Sequence, residues 1–150
     1  VVYSIILLIL GFTIGGYLLN KVQPRSFLAV NMCQESCYKL NDMVGLVAAI
    51  GMQNIPDLIP YRILETDKTL VIKYPLPDSS YPTHLVAIPK RDIKNPADLT
   101  DLDKEYLSDA YAAMGQIVRE RNLTNYKIIT NGPGFQTVTY LHFHLVAKES

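Results

Sequence analysis

The chain has 150 residues, 49% of them hydrophobic and 19% charged, and its 14 Lys plus Arg balance its 14 Asp plus Glu, so the formal net charge is zero. That balance excludes a general nucleic-acid-binding surface, which needs an excess of basic groups. Two cysteines exclude a disulfide scaffold, and there are no repeats or low-complexity tracts. The sequence opens on Val1 rather than Met, so any charged segment upstream of it is out of view.

Residues 1–20 carry no charge and are mostly Ile, Leu, Val, Gly and aromatic side chains. As a helix, twenty residues span about 30 Å, the hydrocarbon thickness of a bilayer. The expectation is a single transmembrane helix, with Tyr3 and Tyr17 near its two interfaces. The competing reading is a signal-peptide core, but such cores have only ~7–15 apolar residues and run into small residues at a cleavage site. Here Lys21-Val22-Gln23-Pro24-Arg25 follows, which reads as a membrane exit. Gly11 and Gly15 form a GxxxG spacing that lets a partner helix approach closely, although glycine is common in membrane helices generally. Lys21 and Arg25 would place the rest of the chain on the cytoplasmic side by the positive-inside tendency.

Residues 21–55 read as a helical linker. Met32, Leu40, Val44 and Val47 recur at helical spacings over 26–53, and Leu46, Ala49 and Ile50 widen the apolar face. Cys33 and Cys37 lie one turn apart on that helix and read as small packed residues. A metal role would need ligands from elsewhere, and a disulfide would need an oxidising compartment. Tyr38 after Cys37 rules out a CxxCH haem site.

Residues 56–150 form the main domain. Stretches 61–65 and 69–74 are predicted strands joined by the turn Thr66-Asp67-Lys68. Three prolines make 75–82 a loop, and 84–88 is a third strand ending in Pro89-Lys90-Arg91-Asp92. Leu107, Ala110, Tyr111, Met114, Ile117 and Val118 then mark a helix with one apolar stripe. Acidic residues (Asp101, Asp103, Glu105) stand at its start and Arg119 and Arg121 at its end, as the helix dipole favours, and Asn122 is a stop signal. A fourth strand follows at 126–130. After the loop Asn131-Gly132-Pro133-Gly134-Phe135 comes a long final strand over 136–146, antiparallel to the fourth. The prediction is an α+β domain: an antiparallel sheet with a long helix, preceded by a single transmembrane helix.

The final strand holds two of the three histidines. Alternation puts Val138, Tyr140, His142, His144 and Val146 on one face and Thr139, Leu141, Phe143 and Leu145 on the other, which is apolar enough to be a core face. His142 and His144 would stand about 7 Å apart. Two imidazoles so placed suit a nucleophile with a helper, a metal pair, or two hydrogen-bonded residues of a sheet face. A metal pair would need a third ligand from His84 or the cysteines. The free N–H groups of the Gly-Pro-Gly loop could face an anion.

Several stretches, in order, resemble the histidine triad (HIT) family of nucleotide hydrolases and transferases, whose signature strand is His-φ-His-φ-His-φ-φ. These are Pro60-Tyr61-Arg62-Ile63-Leu64-Glu65-Thr66-Asp67, then Pro82-Thr83-His84-Leu85-Val86-Ala87-Ile88-Pro89-Lys90, then Asn131-Gly132-Pro133 with Gln136-Thr137-Val138 before the triad. The resemblance implies that His142 is the nucleophile that attacks the α-phosphate of a nucleotide ester, anhydride or phosphoramidate and carries a nucleotidyl intermediate. It implies that His144 contacts phosphate. Asn131, Gln136, Thr137 and Tyr140 become phosphate- or nucleotide-binding positions, and His84 matches a usual position of its strand. No metal and no cofactor is implied. A purine nucleotide or nucleotide conjugate is the implied ligand, and a homodimer the implied assembly.

The chain departs from the family at definite places. Tyr140 stands at the first triad position. Leu76 stands where an acid usually holds the ribose hydroxyls, with Asp78 out of register. Phe135 replaces a glycine, and the Cys33–Cys37 spacing is one residue longer than the family's CxxC. Two functions follow as expectations: a membrane-anchored HIT-like nucleotide-binding protein hydrolysing a nucleotide conjugate, or a catalytically degenerate HIT domain serving as accessory subunit of a larger membrane complex.

Overall fold

Among the described residues, alternating side chains in five short strands build a sheet with one helix packed on each face. The computed structural model describes residues 2–23, 39–76 and 80–148. Its strands are β1 (Arg62–Glu65), β2 (Thr69–Lys73), β3 (Thr83–Pro89), β4 (Tyr126–Thr130) and β5 (Phe143–Ala147). They pair in the order β1-β2-β3-β5-β4, antiparallel throughout. The helices are α1 (Val2–Leu19), α2 (Leu40–Asn54) and α3 (Lys104–Glu120). The α+β architecture expected from the sequence is the one observed.

The pleat sorts the core into two clusters. Val71, Leu85, Ala87, Phe143 and Leu145 point to the face covered by α3, where Ala110, Ala113, Met114 and Ile117 meet them. Burial of such aliphatic side chains contributes about 1.5–3 kcal/mol each, so this is the main cohesive layer. The opposite face carries Leu70 and Tyr140, with Ile72, Ile88 and Val138 beside them, and packs on Ala49 and Met52 of α2. Val22, just past α1, joins the same cluster, and the Gln23 backbone N–H donates to the buried Asp92 carboxylate at 2.7 Å. The chain leaving α1 is thereby fastened to the domain.

A capping box opens the 3-10 turn Asp101–Asp103 that leads into α3. The Thr100 backbone N–H and hydroxyl both donate to Asp103 at 2.8 and 2.7 Å, and Asp103 pairs with Arg91. It stops at Asn122, whose φ of 52° lies in the left-handed region that asparagine tolerates. Of the predicted apolar stripe, Ala110, Met114 and Ile117 are buried, while Tyr111 stays half in solvent with its ring against Phe143.

Three expectations need correction or bounding. The final strand is not continuous over 136–146: β5 begins at Phe143, and 136–142 bend away from the ladder. The reason is that the backbone donors of this stretch have partners elsewhere. Thr139 N–H reaches Asn41 O at 3.1 Å, Leu141 N–H reaches Ile93 O at 2.6 Å, and Tyr140 N–H turns back to Val138 O at 2.8 Å. The helix expected over 26–53 is seen as α2, and Met32, Cys33 and Cys37 lie outside the described residues, as does Asp78. Tyr61 is not in β1, because its φ of 61° breaks the extended chain.

α1 is long and apolar enough to cross a membrane. An added Cβ at Gly11 or Gly15 would meet nothing within 4 Å. Gly45 of α2 is the opposite case: an added Cβ would lie 2.5 Å from the Thr139 carbonyl oxygen. That close approach lets α2 seat on the 136–142 bend, where the Asn41 amide also donates to Gln136 O at 2.8 Å. Gly45→Ala is expected to destabilise by about 1–3 kcal/mol, the usual range for overpacking. Gly51→Ala, with open space at its Cβ, is expected to be neutral or to stabilise by up to about 1 kcal/mol. Urea unfolding of both variants checks the contrast.

Candidate active site

The bend before β5 delivers His142 to the sheet face opposite α3. Its Nδ1 lies 2.7 Å from the Tyr140 carbonyl oxygen. A carbonyl only accepts, so Nδ1 carries the proton and donates. The neutral ring therefore keeps its in-plane lone pair on Nε2. Burial lowers the His142 pKa below its ordinary value, opposed by the bond to Tyr140, which raises it. The ring is held as a neutral base with one defined nucleophilic nitrogen.

His144 follows two residues on, the ring centroids 4.9 Å apart and the planes at 77°. The bend brings the two rings nearer than the roughly 7 Å of a straight strand. Val86 and His144 are directly paired across β3 and β5, as are His84 and Val146. His84 and His144 are therefore diagonal neighbours on one face, within reach of long side chains. Their rings meet through His84 Nε2 and His144 Nδ1 at 2.9 Å. With His84 as donor, His144 keeps a proton on Nε2 to offer an anion. Tyr74, just past β2, stacks on His84 with centroids 4.0 Å apart and planes 19° apart, and meets His144 edge-on. Burial, then the neighbouring His142 and His84, push the His144 pKa down to about 4.

Tyr140 takes the first triad position but is fully buried in the α2-side cluster. Its hydroxyl donates to Pro89 O at 2.7 Å. What orients His142 is the backbone carbonyl of this residue, not its side chain. Asn131 and Thr137 line the same cavity as His142 and His144. Gln136 does not: its amide donates to Lys94 O at 3.2 Å and it is buried beneath the loop, because the bend turns it away from the rings. Leu76, at the position matching the ribose acid, is exposed and does not line the cavity. His84, which the resemblance matches to a usual position of its strand, is in contact with His144. Tyr74 was not singled out at all; its place two residues past Ile72 on a strand that pairs with β3 was the available signal. Among the described residues no group of three His, Cys, Asp or Glu is arranged to hold a metal ion.

The cavity measures about 560 Å³. Val44, Ala48 and Met52 of α2 form one wall, and Ile72, Val86 and Ile88 of the sheet form its floor. Among the described residues no Asp, Glu, Lys or Arg lines it. Anions meeting this site would be held by hydrogen-bond donors, without a formal positive charge.

The folded-state value of about 4 for His144 lies below its ordinary 6.5. An unfolded chain therefore takes up that proton first as pH falls, and the linkage lowers stability. The contribution is fully present above pH 6.5 and is lost progressively toward pH 4. The thermal midpoint is expected to fall between pH 7 and pH 4, and His144→Gln to flatten that fall. An equally steep decline in the variant would assign the effect to other groups.

The family model described as scavenger mRNA decapping enzyme C-term binding matches residues 49–150. An uncharacterized HIT-like protein of Chlamydia muridarum is 32% identical over 88 residues, covering 57% of this chain and 68% of its own. A second, of Chlamydia trachomatis, is 31% identical over 88 residues, covering 57% and 78%. Among solved structures, a HIT family hydrolase from Legionella pneumophila superposes with a TM-score of 0.58 at 26% identity, covering 66% of this chain and 91% of that one. The histidine triad nucleotide-binding protein of Candida albicans superposes at 0.54 with 26% identity, covering 67% and 75%. The fold, the order of its motifs and these matches agree, and the chain belongs to the HIT family.

Proposed function

We propose that this protein is a HIT-type hydrolase that acts on a nucleotide conjugate through His142 and is anchored to a membrane by α1. The observation that carries the reading is the Nδ1–H of His142 bonded to the Tyr140 carbonyl, which leaves Nε2 as nucleophile. In the first step the Nε2 lone pair attacks phosphorus, a P–N bond forms, and the bond to the leaving group breaks. The leaving group takes a proton from solvent. In the second step water attacks the same phosphorus, the P–N bond breaks, and its electron pair returns to Nε2. Water's proton goes to solvent and the phosphomonoester leaves. Splitting one displacement into two is the advantage of a covalent intermediate. His144 Nε2–H, with Asn131 and Thr137, is placed to donate to the phosphoryl oxygens as charge moves onto them. Tyr140 supplies orientation through its carbonyl, and Gln136 supports the loop. The nucleotide comes into the reading from the Candida albicans relative's name and from the motif order.

The anchoring part rests on the length and apolarity of α1, and the cytoplasmic placement on Lys21 and Arg25. A second reading, an accessory subunit of a membrane complex, is favoured by Gly11, Gly15 and Gly16, which leave the α1 surface open to a close partner. A homodimer is the assembly the family resemblance favours.

A fluorogenic adenosine phosphoramidate tests the enzyme. Turnover is expected, with His142→Ala lowering it about 10³-fold or more. His84→Ala is expected to lower kcat more than it raises KM, because it acts by setting the His144 proton. Retained activity in His142→Ala would remove the covalent mechanism. A folded protein that neither binds nor turns over the substrate, and co-purifies with partners only when residues 1–20 are present, would favour the accessory reading. Resistance to alkaline carbonate extraction, lost without those residues, is the expected mark of the anchor.

A further inference from the structure

The cavity has two unlike walls. The stretch from Asn131 to His144 brings its polar groups, and α2 with the turn after it brings only apolar ones: Val44, Val47, Ala48, Met52, Ile55 and Leu58. The floor between them is Ile72, Val86 and Ile88. Among the described residues that line the α2 side none can pair with a ribose hydroxyl or the edge of a base, and Leu76 at the matching acidic position lies outside the cavity. A polar group buried there without a partner would weaken binding about fivefold or more, whereas each buried methylene would strengthen it about fourfold.

Two further observations point the same way. Gly51 stands inside α2, where glycine weakens a helix, yet it lines the cavity with nothing within 4 Å of where its Cβ would be. Its missing side chain keeps room open. The apolar helix α1 also touches α2, the helix that forms this wall, and Val22 packs into the cluster behind it. Hydrocarbon chains are what a bilayer beside α1 would supply.

We propose that the substituent preferred on phosphorus during attack by His142 is an aliphatic chain seated between α2 and the sheet, so that an alkyl or prenyl phosphoester or phosphoanhydride is taken in preference to an adenosine phosphoramidate. The proposal rests on the His142 reading and names the substrate class of that site. His142 Nε2 bonds to the phosphorus bearing the chain, and the group on the far side, nucleotide or other, departs with a solvent proton. Water then releases the alkyl phosphate.

The test uses the full chain in detergent with p-nitrophenyl esters of methyl, hexyl and dodecyl phosphate, kept below their micelle concentrations, and with p-nitrophenyl thymidine 5′-phosphate. Release of p-nitrophenolate is followed for the native chain, His142→Ala and Gly51→Leu. The expected result is His142-dependent turnover whose kcat/KM rises at least tenfold from methyl to hexyl. Gly51→Leu should cut the dodecyl-to-methyl ratio tenfold or more. A flat chain-length series beside His142-dependent cleavage of the thymidine ester would overturn the aliphatic seat and leave the nucleophile standing. If no ester turns over, calorimetry with dodecyl phosphate decides. Binding weakened by Gly51→Leu upholds the seat without the chemistry, and no binding overturns it.

Discussion

Tyr140 is the residue on which the reactive face depends. Its ring fills the core cluster between the sheet and α2, its hydroxyl ties that cluster to the end of β3 at Pro89, and its carbonyl fixes the proton of His142. A histidine here would be smaller and would offer a ring nitrogen in place of a phenol. At the first triad position this chain has a buried anchor, and the backbone carbonyl of that residue makes the contact that leaves the His142 lone pair on Nε2. That contact comes from the backbone, so it does not depend on which side chain stands there.

The two faces of the sheet divide the labour. The α3 face is closed and aliphatic and holds the strands in register. The α2 face is only partly closed, and the opening is where the rings of Tyr74, His84, His142 and His144 gather. Each ring is held by another: stacking fixes His84 on Tyr74, and His84 in turn fixes His144. A cluster of this kind is stiff because side-chain rotation in one member would unseat the next.

Much of this was legible in the sequence because period-2 alternation and turn chemistry are local. The strands at 62–65, 69–73 and 126–130, the stripe of α3 and the shared face of Tyr140, His142 and His144 all follow from neighbours within a few residues. The bend at 136–142 was not legible, since it is made by Asn41 and Ile93, far away in the chain, competing for its backbone groups. The same bend turned Gln136 under the loop. The contact of His84 with His144 was not legible either, because the two lie diagonally across a strand pair, and register is not written in either strand alone. The apolar lining of the cavity needed α2 to be placed on the sheet face, which depends on the close approach at Gly45.

Among the described residues no Lys or Arg lines the cavity, and for the proposed reaction that has a consequence at the product stage. Such a site would hold phosphate through dipoles, with both neighbouring imidazoles pushed toward neutrality. A singly charged diester loses less hydration on entering it than a dianion does. A phosphomonoester product carries up to a second negative charge near neutral pH, and removing that charge from water into an uncharged pocket is far less favourable. The site would therefore discharge its own product, and added salt, which screens only charges, would change its affinity little.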